Sequence, residues 1–184
     1  MVRTSISDPL RIDEVAVPGA RGLLGLTICP GKQQVDAVSG HWHRDLDLDL
    51  QAIADWGASL ILNLIEDHEM HALGVADTAS RLPAGIAYLR LPIPDASIPD
   101  GDWEQQWALY SPGLRTRLGA GERIIVHCKG GLGRTGLVVA RLLIEFGTPP
   151  EKAIAVVRAA RPGAIETAEQ YRYVLKLETR GLTS

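Results

Sequence analysis

Residues 127–136 read HCKGGLGRTG, directly behind the β-branched run Ile124-Ile125-Val126. That order restricts the fold more than any other stretch of the chain. The apolar run reads as a buried strand. The glycines then let the chain turn sharply. The segment that follows, RTGLVVARLLIEF at 134–146, carries an apolar helical pattern. Strand, glycine-rich turn and helix form the repeating unit of α/β chains.

The remaining segments extend the same alternation. GLLGLTI at 22–28 predicts a strand closed by the turn signal CPGK. Residues 44–56 predict a helix stopped by Gly57, although LDLDL alternates with period two. SLILNLI at 59–65 reads as a buried strand, and 66–84 as a polar stretch with one or two short helices. IAYLRLPI at 86–93 is the next strand, followed by the loop PDASIPDGD. Residues 102–118 have a helical pattern in which Ser111-Pro112 either starts a new helix or kinks a continuous one. ERIIVHC at 122–128 is a strand. Thr148 with Pro149 begins a helix reaching about Ala160, and Thr167 opens the last, TAEQYRYVLKLETR.

This pattern implies an α/β fold with a central, largely parallel sheet flanked by helices. At 184 residues the chain suits one domain, 1–184, with residues 1–20 as a peripheral segment. Sites in such sheets lie beyond the carboxyl ends of the strands. Glu66–Glu69, Pro92–Asp95 and Cys128–Arg134 are therefore expected on one edge. The net charge of −3 argues against a general nucleic-acid surface, so any anion site must be local. No run approaches the ~20 apolar residues needed to span a bilayer. The N-terminus lacks the apolar core of a signal peptide. Two cysteines are too few for a disulfide framework and suit a reducing compartment. A cytoplasmic protein without membrane contact is expected.

The glycine-rich turn has a definite chemistry. Its backbone N–H groups can face inward as an anion nest, backed by the amino end of the following helix. Lys129, Gly130, Gly131, Leu132, Gly133 and Arg134 would form the cradle, with Arg134 adding a planar two-pronged donor for phosphate oxygens. Cys128 lies at its floor, where N–H dipoles and the guanidinium favour the nucleophilic thiolate. Such a thiolate can attack phosphorus without a metal. Thr135 is placed to donate a hydrogen bond to the departing sulfur. Asp95 is the chosen general acid. Its strand and the Cys128 strand are consecutive around a helix, so a right-handed crossover would make them parallel and adjacent. Asp100 and Asp102 in the same loop compete for that role.

These residues resemble the signature of the cysteine-based dual-specificity and tyrosine phosphatase superfamily, H-C-x-x-G-x-G-R-[ST]-G. His127, Cys128, Gly131, Gly133, Arg134, Thr135 and Gly136 meet every fixed position. Likeness to the cyclin-dependent-kinase-associated phosphatase branch, with its bacterial relatives, extends to TICPGK, ADWGASLILNLIEDHEM, LPIPDASIPD and RPGAIETAEQ. The resemblance implies a cysteine nucleophile at Cys128, phosphate binding by Arg134 and general acid chemistry at Asp95. It implies hydrolysis of phosphotyrosine, and of phosphoserine and phosphothreonine, through a phosphocysteine. The expected partner is a phosphorylated protein or peptide, and no cofactor is required. A phosphoinositide phosphatase and a non-catalytic phospho-binding module are the alternatives. The lipid phosphatases carry a second lysine where this chain has Leu132, which weakens the first.

Other residues invite plainer readings. His127 should point away from the pocket by strand alternation and support the loop backbone. Gln170, in a segment that approaches the pocket in relatives, either positions water or is a solvated helix residue. Glu166 and Thr167 read as helix caps. Glu66, Asp67 and Glu69 read as a solvated loop. HWH at 41–43 and HEMH at 68–71 lack a recognised ligand set, so no metal site is expected. Cys29 reads as a buried small hydrophobe, or alternatively as an oxidation partner of Cys128. Trp103 and Trp107, four apart, read as a core face.

Overall fold

The fold was analysed in a computed structural model, which describes residues 2–178. Its main sheet holds five strands: β2 (Asp13–Ala16), β3 (Leu23–Thr27), β6 (Ala58–Asn63), β7 (Ala87–Arg90) and β8 (Arg123–His127). Their spatial order is β2-β3-β8-β6-β7. The edge strand β2 runs antiparallel to β3, and every other pairing is parallel. A smaller sheet joins β1 (Val2–Arg3), β4 (Gln33–Ala37) and β5 (Gly40–His43) in the order β1-β5-β4.

Strand alternation sorts β8 onto the two faces. Ile124 and Val126 pack into the larger core, together with Leu24, Leu26 and Leu62. Ile125 faces the smaller one, beneath Leu46, Leu50 and Ile53 of α1 (Leu46–Trp56). Helix wins over period two in LDLDL because Asp45 caps the first turn, accepting from the Leu48 N–H at 2.9 Å, and Gly57 ends the helix in the left-handed region. Asp49 turns inward, buried against Arg44, and accepts from the Gly31 N–H. It thereby ties the CPGK turn to the helix.

The larger core lies under α3 (Gly101–Gly119), α4 (Gly133–Glu145), α5 (Pro150–Ala160) and α6 (Ala168–Leu175). Every residue of α4 is buried, which accounts for its apolar character on all sides. The proline at 112 starts no new helix: α3 runs unbroken through it. Trp103, Trp107, Ser111, Leu114 and Leu118 make one buried stripe across the proline, and that packing offsets the roughly 3 kcal/mol a helix-interior proline costs. Trp103 and Trp107 stack with centroids 5.0 Å apart, as core residues. The last helix starts after the Thr167 cap, as expected, and ends at Leu175; positions 179 and 180 of its expected span lie outside the described residues. A short α2 (Asp67–Ala72) and a 3₁₀ turn (Thr78–Arg81) occupy the polar stretch before β7. No helix among the described residues is long and apolar enough to cross a membrane.

Candidate active site

Three chain segments converge beyond the carboxyl end of β8. The sheet order corrects one expectation: β7 is parallel to β8 but not beside it, because β6 lies between them. Asp95 reaches the site by another route. Leu64 N donates to the His127 carbonyl at 3.0 Å, so the chain beyond β6 still follows β8. Leu91 N and Ile93 N then donate to Asn63 and Leu64 carbonyls at 3.0 and 2.9 Å. Each segment leans on its neighbour, and Asp95 arrives two residues after the last of these bonds.

The loop 128–133 is held from outside by its carbonyls. Lys129 O accepts from the Cys29 N–H and from Lys32 Nζ, both at 3.4 Å. Gly130 O accepts from Arg161 at 3.2 Å, and Leu132 O from Gly136 N at 2.8 Å and Ile165 N at 3.3 Å. With the carbonyls directed outward, the N–H groups of Lys129, Gly130, Gly131 and Leu132 donate to no other group among the described residues. Uncommitted N–H groups around one centre make an anion cradle. Gly131 is the glycine that the geometry requires. Its φ is +66°, and a Cβ there would overlap the Thr27 carbonyl. Gly133 is the first residue of α4, so the helix amino end faces the same centre.

Arg134 is 1% exposed, and the four N–H groups of its two terminal nitrogens all meet acceptors. Nη1 donates to Glu69 Oε2 at 2.7 Å and to the Ile93 carbonyl at 2.9 Å. Nη2 donates to Glu69 Oε1 at 2.8 Å and to Asp95 Oδ1 at 2.9 Å. Burial alone would raise the Glu69 pKa, but the hydrogen bonds and charge of Arg134, with the Glu66 N–H, hold it below the ordinary glutamate value. Arg134 in turn is held above its ordinary value; burial opposes this and the Glu69 pair outweighs it. Glu69 is thus no solvated loop residue. It is the buried counter-ion that fixes Arg134, and the i, i+3 capping relation with Glu66 is the one sequence sign that it turns inward.

Asp95 is 58% exposed, and its second oxygen lies 4.0 Å from Lys129 Nζ. Of the three candidate aspartates, Asp95 is the one in contact with the loop. Asp100 is occupied as the α3 cap, accepting from the Trp103 N–H at 2.8 Å, and Asp102 is exposed in the first turn of that helix. Cys128 is buried at the end of β8 on the larger-core side. Thr135 is fully buried, and its hydroxyl has no protein partner among the described residues.

His127 Nδ1 lies 3.3 Å from the Cys128 carbonyl, and burial pushes its pKa down to about 4. Gln170 is also fully buried, and a Cβ on Gly133 would meet its amide. Its Oε1 accepts from the Glu166 and Thr167 N–H groups, and its Nε2 donates to the Ser97 carbonyl at 3.1 Å. It therefore joins three loops beside the cradle. Cys29 is buried, and that burial pushes its thiol up to about 12. HWH and HEMH gather no group of three metal-ligating side chains among the described residues.

Comparison with known proteins bears on the family of the chain. Residues 39–148 match the family model described as a polymorphic toxin system DSP-PTPase phosphatase. The chain is 30% identical over 156 residues to cyclin-dependent kinase inhibitor 3 of Mus musculus, covering 82% of this chain and 69% of that one. It is 39% identical over 95 residues to the Rattus norvegicus protein of that name, covering 49% of this chain and 42% of that one, less than half the rat protein. Among solved structures, kinase-associated phosphatase with its catalytic-site cysteine changed to serine superimposes with a TM-score of 0.77 at 27% identity. That match covers 90% of this chain and 92% of the other.

Proposed function

Because the chain belongs to the cysteine-based dual-specificity phosphatase family, we propose that it hydrolyses phosphotyrosine, and phosphoserine and phosphothreonine in turn, through a phosphocysteine on Cys128. The observation that carries this reading is the loop itself. Its carbonyls are tied outward and its N–H groups left free, around the residue that follows β8.

In the first step the phosphate settles among the N–H groups of Lys129–Gly133 and takes the place of Asp95 on Arg134 Nη2. The Cys128 thiolate attacks phosphorus in line, and the P–O bond to the leaving group breaks. Asp95, released from Arg134, takes up a proton from solvent as the phosphate dianion arrives and passes it to that oxygen. In the second step water attacks phosphorus, the Asp95 carboxylate takes its proton, and the S–P bond breaks. The orphaned Thr135 hydroxyl donates to the departing sulfur. Gln170 stands beside Gly133 to orient that water. His127 stays neutral and carries the Cys128 carbonyl. None of these steps requires a metal.

We take residues 1–184 as one catalytic unit. The N-terminal segment serves at its edge, where β2 closes the main sheet. Two free thiols suit a cytoplasmic setting, and the partner is a phosphorylated protein. Phosphate release from phosphotyrosine, phosphothreonine and phosphoserine peptides in excess chelator tests this reading. Release from phosphotyrosine peptides is expected; no release from any of the three would overturn it.

A further inference from the structure

Lys32 closes the CPGK turn and is 3% exposed, yet no carboxylate lies within ion-pair distance of it among the described residues. A buried ammonium without a counter-ion is costly, and burial lowers its pKa accordingly. The groups around it do not offset that cost. Asp49 is committed to Arg44 and to the Gly31 N–H, both at 2.8 Å. Burial keeps the Cys29 thiol neutral, with its pKa pushed up to about 12. The Trp42 ring, 5.4 Å from the ammonium, is shared with Arg3 at 4.9 Å and Arg44 at 5.8 Å.

The missing anion is the one that the phosphate loop binds. We propose that Lys32 is a positioning residue of the phosphatase reaction: its ammonium, set behind the loop on the Lys129 carbonyl, strengthens the hold of the loop on a phosphate dianion. The proposal rests on the phosphatase reading and adds to it a residue from outside the loop.

The turn fixes where the charge sits. The Gly31 N–H donates to Asp49, and the Lys32 carbonyl accepts from the Arg44 N–H at 3.2 Å, so the backbone is tied on both sides. The side chain lies on the wall of a cavity of about 490 Å³, which Trp42, Gly130, Leu132 and Arg161 also line. Its Nζ ends 3.4 Å from Lys129 O, the carbonyl that also accepts from the Cys29 N–H. That distance is long for a hydrogen bond, so the contact contributes mainly charge.

Charge at that oxygen is felt at the other end of the same peptide. The Lys129 carbonyl and the Gly130 N–H belong to one peptide unit, and the Gly130 N–H is one of the free donors of the cradle. A cation at the oxygen draws electron density from the nitrogen and makes the N–H a stronger donor. The ammonium also attracts the dianion directly, through buried protein rather than water. An ionised Cys128 favours the ammonium in the same way. Arg161 makes the matching contact at Gly130 O, but Asp13, at 2.7 Å, balances its charge. Lys129 Nζ lies 4.0 Å from an Asp95 oxygen. Lys32 therefore brings an unbalanced charge to the back of the loop.

The test is the competitive inhibition constant of inorganic phosphate against para-nitrophenyl phosphate, with KM and kcat read from the same assays. Competition places the inhibitor in the loop. Lys32→Met and Lys32→Gln both remove the charge, and each should raise the inhibition constant and KM together by about tenfold. kcat should stay within about threefold of wild type, because the phosphate is held alike before and during the reaction. Lys32→Arg keeps the charge and should leave both constants within about threefold of wild type. Lys32→Gln carries the comparison if Lys32→Met does not fold. An inhibition constant within about twofold of wild type in the charge-free variants would overturn the proposal. So would a Lys32→Arg variant as weak as the charge-free ones, or a loss confined to kcat. A wild type inert towards para-nitrophenyl phosphate would instead be a failure of the phosphatase reading, and calorimetric titration with inorganic phosphate would then read the same ratio of affinities.

Discussion

Glu69 and Arg134 meet in a two-pronged ion pair, with Oε2 2.7 Å from Nη1 and Oε1 2.8 Å from Nη2. The pair joins α2 to the first turn of α4, and it holds the guanidinium in the plane facing the loop. Removing one partner of a buried pair leaves the other charge uncompensated. Glu69→Ala should therefore cost about 3 kcal/mol of stability in urea denaturation. The freed guanidinium would also lose its orientation, so kcat/KM should fall by about tenfold or more, mainly through a higher KM. A variant with wild-type stability and wild-type KM would remove Glu69 from this positioning role.

His127 gives the fold a defined response to acid. Its pKa is near 4 when folded, against an ordinary value of 6.5, because burial opposes its charged form. The unfolded chain therefore binds more protons between these values, and stability falls as pH is lowered through that window. The loss from this group between pH 7 and pH 5 should be about 2 kcal/mol, at ~1.4 kcal/mol per pKa unit. Urea midpoints measured across that range should show it, and His127→Asn should flatten the slope. An equal slope in both proteins would contradict the assignment.

Gly131→Ala tests the loop without touching a reactive group. The left-handed backbone costs an alanine at least ~1 kcal/mol, and the Cβ would also overlap the Thr27 carbonyl. Lower thermal stability and a near-complete loss of turnover are expected. Gly130→Ala, where a Cβ meets open space, should be far milder in stability.

Thr135→Ala separates chemistry from packing. The hydroxyl is buried without a partner among the described residues, so its loss should leave stability within about 0.5 kcal/mol of wild type. Breakdown of the phosphocysteine should slow by about tenfold, since the departing thiolate loses a donor. A burst of p-nitrophenol in stopped flow, absent or smaller in wild type, is the expected sign. An unchanged kcat would remove Thr135 from the second step.

The sequence made the site's centre legible for a local reason. Cys128, the glycines and Arg134 are contiguous, so strand end, turn and helix start could be read together. The Glu69–Arg134 pair was not legible in the same way. It closes across 65 residues, and an acidic run after a strand looks like any solvated loop. The hairpin of β4 and β5 was missed because Gln33–Ala37 is half-exposed and polar, with neither alternation nor an apolar run. Strand adjacency failed for β7 because chain order cannot show that β8 would pair on the far side of β6. The cavity lined by Lys32, Trp42, Gly130, Leu132 and Arg161 was hidden for a further reason: five separate segments of the chain build it, and only packing brings them together.

The most direct test of the account is hydrolysis of para-nitrophenyl phosphate in excess chelator by wild type, Cys128→Ser and Asp95→Asn. Wild type should turn over. Cys128→Ser should lose at least ~1,000-fold in kcat, and Asp95→Asn about 100-fold, with a larger loss on a poorer leaving group. An inert wild type, or a Cys128→Ser variant at full rate, would contradict a phosphatase working through Cys128.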